Sequence, residues 1–137
     1  MKKLITLLFA VISINCFSQV QFIGQTKAQI KDYWSTRVSE DYFKEGKWDN
    51  TQEEYFMIQK SVGLSDFDAT FDVNGKCKYH SMLIKLRDVS VMKARLGKME
   101  YNYNEKLDGY LDAKKKYIWK FIEAAGGNVF LECRINI

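Results

Sequence analysis

Residues 66–86 read DFDATFDVNGKCKYHSMLIKL, and this stretch predicts two antiparallel strands joined by a tight turn. Polar and apolar residues alternate through its first eight positions, which is typical of a half-buried strand. Asp72 has the side chain favoured at the start of a type I turn, and Gly75 fits the left-handed position that closes a three-residue loop with a bulge. This turn pairs Asp72 with Lys76 and directs Cys77 toward the core.

The position of the turn also predicts the register of the hairpin. Counting outward from the first pair, the solvent-facing neighbours are Thr70 with Lys78 and Asp68 with His80, and the core-facing neighbours are Phe71 with Cys77 and Ala69 with Tyr79. A two-residue turn at positions 74 and 75 would instead direct three basic side chains into the core without partners. The bulged register is therefore preferred.

The N-terminus, MKKLITLLFAVISINCFSQ, has the layout of a secretory signal peptide: two lysines, an apolar run, then small or polar residues. An apolar core of about a dozen residues is too short for a transmembrane helix, which needs ~20. We expect a signal peptide at 1–18 and a single domain at 19–137. Lipoprotein processing at Cys16 is the alternative, although residues 13–15 match the required small-residue box poorly.

Charge and length exclude some classes of protein. Signal cleavage removes two of the 21 basic residues and none of the 17 acidic residues, which leaves a net charge of about plus two. A nearly neutral exported domain lacks the concentrated basic surface of a nucleic-acid-binding protein. The remaining length is enough for one hydrophobic core without a metal or a disulfide framework, and the absence of proline argues against a tethered second domain.

Outside the first hairpin, the sequence predicts two helices and further strands. The capping box TKAQ predicts a helix from Thr26 to near Thr36. Residues 39–50 fit either a short helix broken at Gly46 or an irregular loop, and residues 53–60 read as a strand.

Beyond residue 88 the apolar spacing becomes that of a long helix, which we expect to end at Gly109. Its apolar face would consist of Val89, Met92, Leu96, Met99 and Tyr103. Residues 117–121 and 129–137 alternate as the arms of a second hairpin. The predicted fold is α+β, in the order α-β-β-β-α-β-β: an antiparallel sheet of about five strands with two helices packed on one face. No internal repeat is visible in the sequence.

Cys77 and Cys133 both fall at core-facing strand positions. Export permits a disulfide between them, provided that their strands are neighbours and their Cα atoms lie within ~4.4–6.8 Å. The alternative is two buried thiols packed as small hydrophobic side chains.

Acidic residues on the first strands raise the question of a catalytic or calcium site; they are Glu53, Glu54, Asp66, Asp68 and Asp72. If any of these aspartates is taken as the first residue of an EF-hand calcium loop, the glycine and the glutamate that such a loop requires are not at their positions. Alternating acids are more typical of the solvated face of a strand. His80 is the only histidine, which excludes a site of several imidazoles, and we expect no catalytic residues, metal or cofactor.

A basic and aromatic segment is the most suggestive surface signal; its residues are Lys114, Lys115, Lys116 and Trp119. As a binding arm, it would contact an anionic envelope polymer or a protein partner. The alternative is that Trp119 belongs to the core and that the lysines form a solvated loop.

The sequence GQTKAQIKDYW, followed across two strands by FDVNGK, resembles the small outer-membrane assembly lipoprotein family BamE, also called SmpA/OmlA. That family has a G-x-T-x-x-x-[IV] helix start and an F-x-x-x-G turn. The resemblance covers residues 23–79; the poor lipobox, the missing proline after the first helix and the second half of the chain depart from the pattern. It implies a non-enzymatic, envelope-located binding domain and assigns no functional residues. The signal and composition are also similar to those of small exported Bacteroidota proteins.

We therefore expect an exported domain, periplasmic or extracellular, that binds a protein of the envelope or an envelope polymer. An inhibitor or immunity protein that neutralises a toxin is the first alternative. A small hydrolase that uses the acidic strand face, with Asp68 and Asp72, is the second.

Overall fold

The computed structural model describes residues 21–114 and 116–136, and within them the chain forms one antiparallel sheet and two short α-helices. The predicted signal peptide at 1–18, with Cys16, lies outside the described residues. The helices are α1 (Lys27–Ser35) and α2 (Val89–Lys98). The strands are β1 (Phe43–Lys47), β2 (Glu54–Ile58), β3 (Phe67–Phe71), β4 (Cys77–Lys85), β5 (Asn102–Asn104), β6 (Gly109–Leu111), β7 (Tyr117–Ala124) and β8 (Asn128–Ile135).

The sheet has eight strands across the described ranges, in the order β1-β2-β3-β4-β8-β7-β6-β5. The prediction of about five strands in the order α-β-β-β-α-β-β was wrong, although helices and an antiparallel sheet are both present. Each half of the chain consists of one helix followed by a four-stranded meander, and the two meanders meet through their last strands, β4 and β8. The topology is thus repeated, although the sequence shows no repeat.

Strand β1 replaces the helix or loop expected in residues 39–50. Only Phe43 of this strand packs against the core, and the strand lies at an edge of the sheet, where charged side chains remain exposed. Its glycine, Gly46, lies beneath the ring of Tyr55: a Cβ atom there would be 2.9 Å from the Tyr55 hydroxyl oxygen. A strand with one half-buried apolar side chain and a covered glycine has no alternating pattern that the sequence could show.

The predicted long helix ends early, at Lys98. Glu100 adopts a left-handed conformation with a φ of 65°, and the Tyr101 amide donates to the Leu96 carbonyl at 3.0 Å. The Glu100 amide also donates to the Gly97 carbonyl, so the helix closes with a Schellman motif in which glutamate occupies the position usually held by glycine. Residues that were assigned to the end of the helix therefore form the short strand β5, and β6 begins at Gly109, the predicted helix end.

The turn of the first hairpin is confirmed. Gly75 has a φ of 75°, its amide donates to the Asp72 carbonyl at 3.0 Å, and the Asp72 amide donates to the Lys76 carbonyl at 2.8 Å. Phe71 pairs with Cys77, as predicted.

Beyond that pair the predicted register was wrong, because Lys78 forms a β-bulge. Thr70 pairs with Tyr79 rather than with Lys78, and every later position shifts by one residue. A one-residue shift exchanges the two faces of a strand. Ala69 therefore pairs with His80, which lies in the core, and Asp68 pairs with Ser81.

Two hydrophobic clusters fill the space between the helices and the sheet. Each helix contributes one buried residue: Ile30 packs with the first half of the chain and Leu96 with the second. His80 is 0% exposed and lies between the clusters, with its ring centroid 5.3 Å from that of Phe22 and 5.4 Å from that of Trp119. His80, which was predicted to face solvent, thus packs between the two halves of the chain.

Candidate functional site

Both helices pack on the same face of the sheet, since their core partners lie in one cross-strand row that runs through Ala69, His80, Cys133 and Trp119. No helix of the described residues covers the opposite face, which we call the open face. The central row of the open face consists of Met57, Asp68, Ser81, Glu132 and Lys120. The row on one side contains Tyr55, Thr70, Tyr79 and Arg134. The row on the other side contains Leu83, Phe130 and Ile122.

Two carboxylates from distant parts of the chain form the acidic centre of this face. Asp68 Oδ2 accepts hydrogen bonds from the hydroxyls of Ser81 at 3.0 Å and Ser65 at 3.2 Å. Glu132 Oε1 accepts a hydrogen bond of 2.6 Å from the Tyr79 hydroxyl. Between them, on the intervening strand, lies Ser81.

The surroundings of these groups shift their pKa values. Burial raises the pKa of Asp68, and the hydrogen bonds from the two serines oppose that increase. Burial, together with the hydrogen bond to Glu132, also raises the pKa of Tyr79, so its hydroxyl remains a proton donor. Side-chain ion pairs within residues 21–114 and 116–136 join Lys27 to Glu54, Lys31 to Glu45 and Lys78 to Glu53; none includes Asp68 or Glu132. Among the described residues the acidic centre therefore has hydroxyl donors but no ion-pair partner.

A cleft of about 730 Å³ opens beside Asp68 at the end of the face nearest the β1–β2 loop. Trp48 forms its wall: the indole Nε1–H donates to Thr70 Oγ1 at 3.0 Å, and the indole ring centroid lies 4.4 Å from that of Tyr55. The ammonium of Lys78 pairs with Glu53 at the rim. The cleft thus offers an aromatic surface next to a carboxylate.

Half-buried apolar side chains surround the acidic centre on its other sides; they are Met57, Leu83 and Phe130. Ile122, in the outer row, is 42% exposed. Aromatic residues and methionine are enriched in protein–protein interfaces, and here they surround a charged centre.

The predicted basic arm does not form one surface. Trp119 is 1% exposed and packs in the second cluster, on the helix-covered face of the sheet. Lys114 and Lys116 are exposed, and the Lys116 ammonium lies 5.4 Å from the ring centroid of Tyr117. Lys115 lies outside the described residues. The arrangement is that of the alternative interpretation, solvated lysines next to a core tryptophan.

Cys77 and Cys133 are both buried and free, so the disulfide considered above is not formed in this structure. Their strands are neighbours, but Cys133 pairs with His80, three residues beyond Cys77. At ~3.3 Å per residue this offset separates the two Cα atoms by roughly 10 Å, beyond the reach of an unstrained bridge. Burial raises the pKa of both thiols, that of Cys77 to about 12.

Asp68 and Asp72, the two acids named for a hydrolase, are not brought together. Asp72 Oδ1 accepts hydrogen bonds from the backbone amides of Asn74 at 2.9 Å and Lys76 at 3.0 Å, so Asp72 stabilises the turn. Asp68 lies on the open face, away from this turn. Among the described residues, no group of three or more His, Cys, Asp or Glu side chains is placed to hold a metal.

The sequence did not predict that Asp68, Ser81, Tyr79 and Glu132 would be neighbours. Only the bulge brings Ser81 opposite Asp68, and only the β4–β8 pairing brings Glu132 opposite Ser81.

Neither described helix is long and apolar enough to cross a membrane. No family model, curated protein or solved structure matches this chain.

Proposed function

We propose that this protein is an exported binding domain of the cell envelope, whose open face contacts a protein partner. The acidic centre carries the proposal: two carboxylates that form no ion pair among the described residues lie within a ring of aromatic and apolar side chains. The layout of the N-terminus supports export. The partner recognised by this chemistry inserts an arginine or lysine side chain between Asp68 and Glu132.

The open face approaches the size that such an interface needs. Six adjacent strands, β1 to β4, β8 and β7, have five to nine residues each, and at ~4.8 Å between strands and ~3.3 Å per residue they cover roughly 24 Å by 17–30 Å. The resulting area, roughly 400–700 Å² before the three-residue strands β5 and β6 are added, is comparable to the ~800 Å² that each partner contributes to a standard protein–protein interface. A small ligand would use only a fraction of this surface.

The acidic centre supplies specificity. Lys120 lies next to Glu132 in the central row, yet within the described ranges it forms no ion pair with it. A guanidinium between the carboxylates would donate hydrogen bonds to both of them and would displace the water around these half-buried acids. Truncating one member of such a buried charged pair costs ~2–5 kcal/mol.

Site-specific photo-crosslinking tests the location of the interface. We expect a crosslinker at Leu83, on the open face, to capture a partner in cells. The matched control is Val91 of α2, which is 49% exposed on the other side of the molecule. Capture from position 91 alone, or from neither position, would contradict the proposal. An envelope assembly protein as the captured partner supports an accessory role, and an exported enzyme supports the inhibitor or immunity role.

Charge substitutions then test the acidic centre. We expect Glu132→Gln to weaken binding of the captured partner by about 30-fold, which corresponds to about 2 kcal/mol. Glu105→Gln, at an exposed position in the β5–β6 loop, is the control and should leave affinity unchanged. A partner that binds both variants equally well does not use the acidic centre.

A further inference from the structure

A pocket of about 220 Å³ lies on the helix-covered face, at the corner of the sheet beside α2 and the β5–β6 hairpin. It is remote from the open face, and the proposed interface does not use it. Its walls are four aromatic rings, and one lysine and one aspartate lie at its rim: Tyr103, Tyr110, Trp119, Phe121, Lys93 and Asp108. At ~30 Å³ per water molecule the pocket holds about seven waters, which is room for one six-membered ring.

The sheet register builds the aromatic wall. Tyr103 pairs with Tyr110, and Tyr110 pairs with Trp119, so the three rings stand in one row across β5, β6 and β7. The Tyr110 ring centroid is 5.3 Å from that of Tyr103 and 6.0 Å from that of Phe121. Tyr103 is 53% exposed. Trp119, at the inner end of the row, belongs to the second cluster, whereas Tyr103, at the outer end, faces solvent, so the outer rings offer a surface for stacking.

The hairpin loop holds the acidic group at the rim. Asp108 adopts a left-handed conformation with a φ of 47°, which aspartate tolerates better than most residues. The Asn104 side chain accepts a hydrogen bond of 3.1 Å from the Leu107 amide, which stabilises the same loop. Asp108 Oδ1 accepts a hydrogen bond of 2.7 Å from the Tyr103 hydroxyl. No described donor contacts Oδ2, so this oxygen is available to a ligand.

The basic group at the rim comes from α2. The Lys93 ammonium lies 5.6 Å from the ring centroid of Phe121, and within residues 21–114 and 116–136 it forms no ion pair. It therefore places hydrogen-bond donors at the same opening where Asp108 places an acceptor.

We propose that this pocket binds a single sugar ring of a neutral glycan. A purely apolar group would desolvate Lys93 and Asp108 without giving either a partner. A cation would pair with Asp108 but be repelled by Lys93, and an anion would pair with Lys93 but be repelled by Asp108, so a singly charged group leaves one rim residue unsatisfied. A pyranose presents C–H groups to aromatic rings, donates hydroxyl hydrogens to the carboxylate and accepts hydrogen bonds from the ammonium.

Titration of the mature protein, followed by ¹H–¹⁵N NMR, tests the proposal. The probes are N-acetylglucosamine, galactose and mannose at up to tens of millimolar, with phenylalanine and tetramethylammonium as zwitterionic and cationic comparisons. We expect at least one sugar to bind with a dissociation constant of about 1–10 mM, as for a ligand of this size. Shifts should concentrate at Tyr103, Tyr110 and the Trp119 indole.

Variants distinguish the pocket from weak surface binding. Asp108→Asn and Tyr110→Ala should each weaken sugar binding by at least about tenfold. Asp49→Asn and Tyr42→Ala, which change the same residue types at exposed positions elsewhere, are the matched controls and should bind normally. Because Tyr110→Ala removes part of the hairpin, Asp108→Asn, which keeps every ring, is the decisive variant.

Three results would overturn the proposal: no sugar shifts these resonances, phenylalanine or tetramethylammonium binds in place of sugars, or the Asp108→Asn variant binds sugar as well as the unchanged protein does. The outcome is independent of the open face, since partner capture from position 83 does not involve this pocket.

Discussion

Acid should destabilise this protein through His80. The side chain is 0% exposed, and its Nε2 accepts a hydrogen bond of 3.1 Å from the Phe22 amide, which assigns the remaining proton to Nδ1. No described group pairs with Nδ1. Burial lowers the pKa of His80 from its usual 6.5 to about 3. The folded state therefore holds a neutral imidazole between the two hydrophobic clusters.

The sign of the effect follows from linkage. Below pH ~6.5 the unfolded chain binds a proton at His80, whereas the folded protein binds one only near pH 3. The contribution of His80 to stability is thus present above pH 6.5 and is lost as the pH falls toward 3. At ~1.4 kcal/mol per pH unit, acidification from pH 7 to 5 should lower the free energy of unfolding by about 2 kcal/mol.

Urea denaturation at pH 7 and pH 5, followed by tryptophan fluorescence, measures this loss. The His80→Gln variant keeps a hydrogen-bond acceptor but does not titrate. It should be less stable than the unchanged protein at pH 7 and should lose about 2 kcal/mol less on acidification. Asp68 acts in the opposite direction: burial raises its pKa, so its contribution to stability declines as the pH increases. Both proteins contain Asp68, so its contribution cancels when their losses of stability are compared. Equal losses in both proteins would refute the reasoning, as would a folded-state His80 pKa near 6.5 by NMR.

Two further predictions concern the buried thiols and two glycines. Cys77 and Cys133 should resist iodoacetamide in the folded protein and react with it in urea, because burial raises the pKa of both thiols. Mass spectrometry measures the labelling, and rapid labelling under native conditions would be inconsistent with the structure. Gly109→Ala should destabilise by about 2 kcal/mol or more, since a Cβ atom there would lie 2.8 Å from the Ile118 side chain and 2.9 Å from the Trp119 carbonyl oxygen. Gly97→Ala, with open space around it in α2, should instead stabilise by up to ~1 kcal/mol in thermal or urea unfolding. Similar effects of the two substitutions would mean that β6 does not pack against β7 as described.

Several elements of the fold were predictable because their causes are local. The capping box at Thr26 is present, with hydrogen bonds in both directions between Thr26 and Gln29, and α1 ends where expected. The turn at Gly75 and the second hairpin likewise follow from a few adjacent residues. Interactions within four or five residues of each other leave a signal that the sequence alone can show.

Other elements had no local signal. The edge strands β1 and β5 have few buried side chains, so no alternation indicates them. The end of α2 depends on Glu100 in a left-handed conformation that sequence rules assign to glycine.

The sequence by itself determined the two helix starts, the two hairpins and the inward orientation of Cys77 and Cys133, because each depends on neighbouring residues or on simple alternation. Only the tertiary structure decided the composition of the candidate site. The bulge at Lys78 turned His80 into the core and placed Ser81 beside Asp68, and the β4–β8 pairing brought in Glu132 from the other half of the chain. A one-residue shift costs little locally but exchanges the two faces of a strand, and the packing of the whole sheet selects between them.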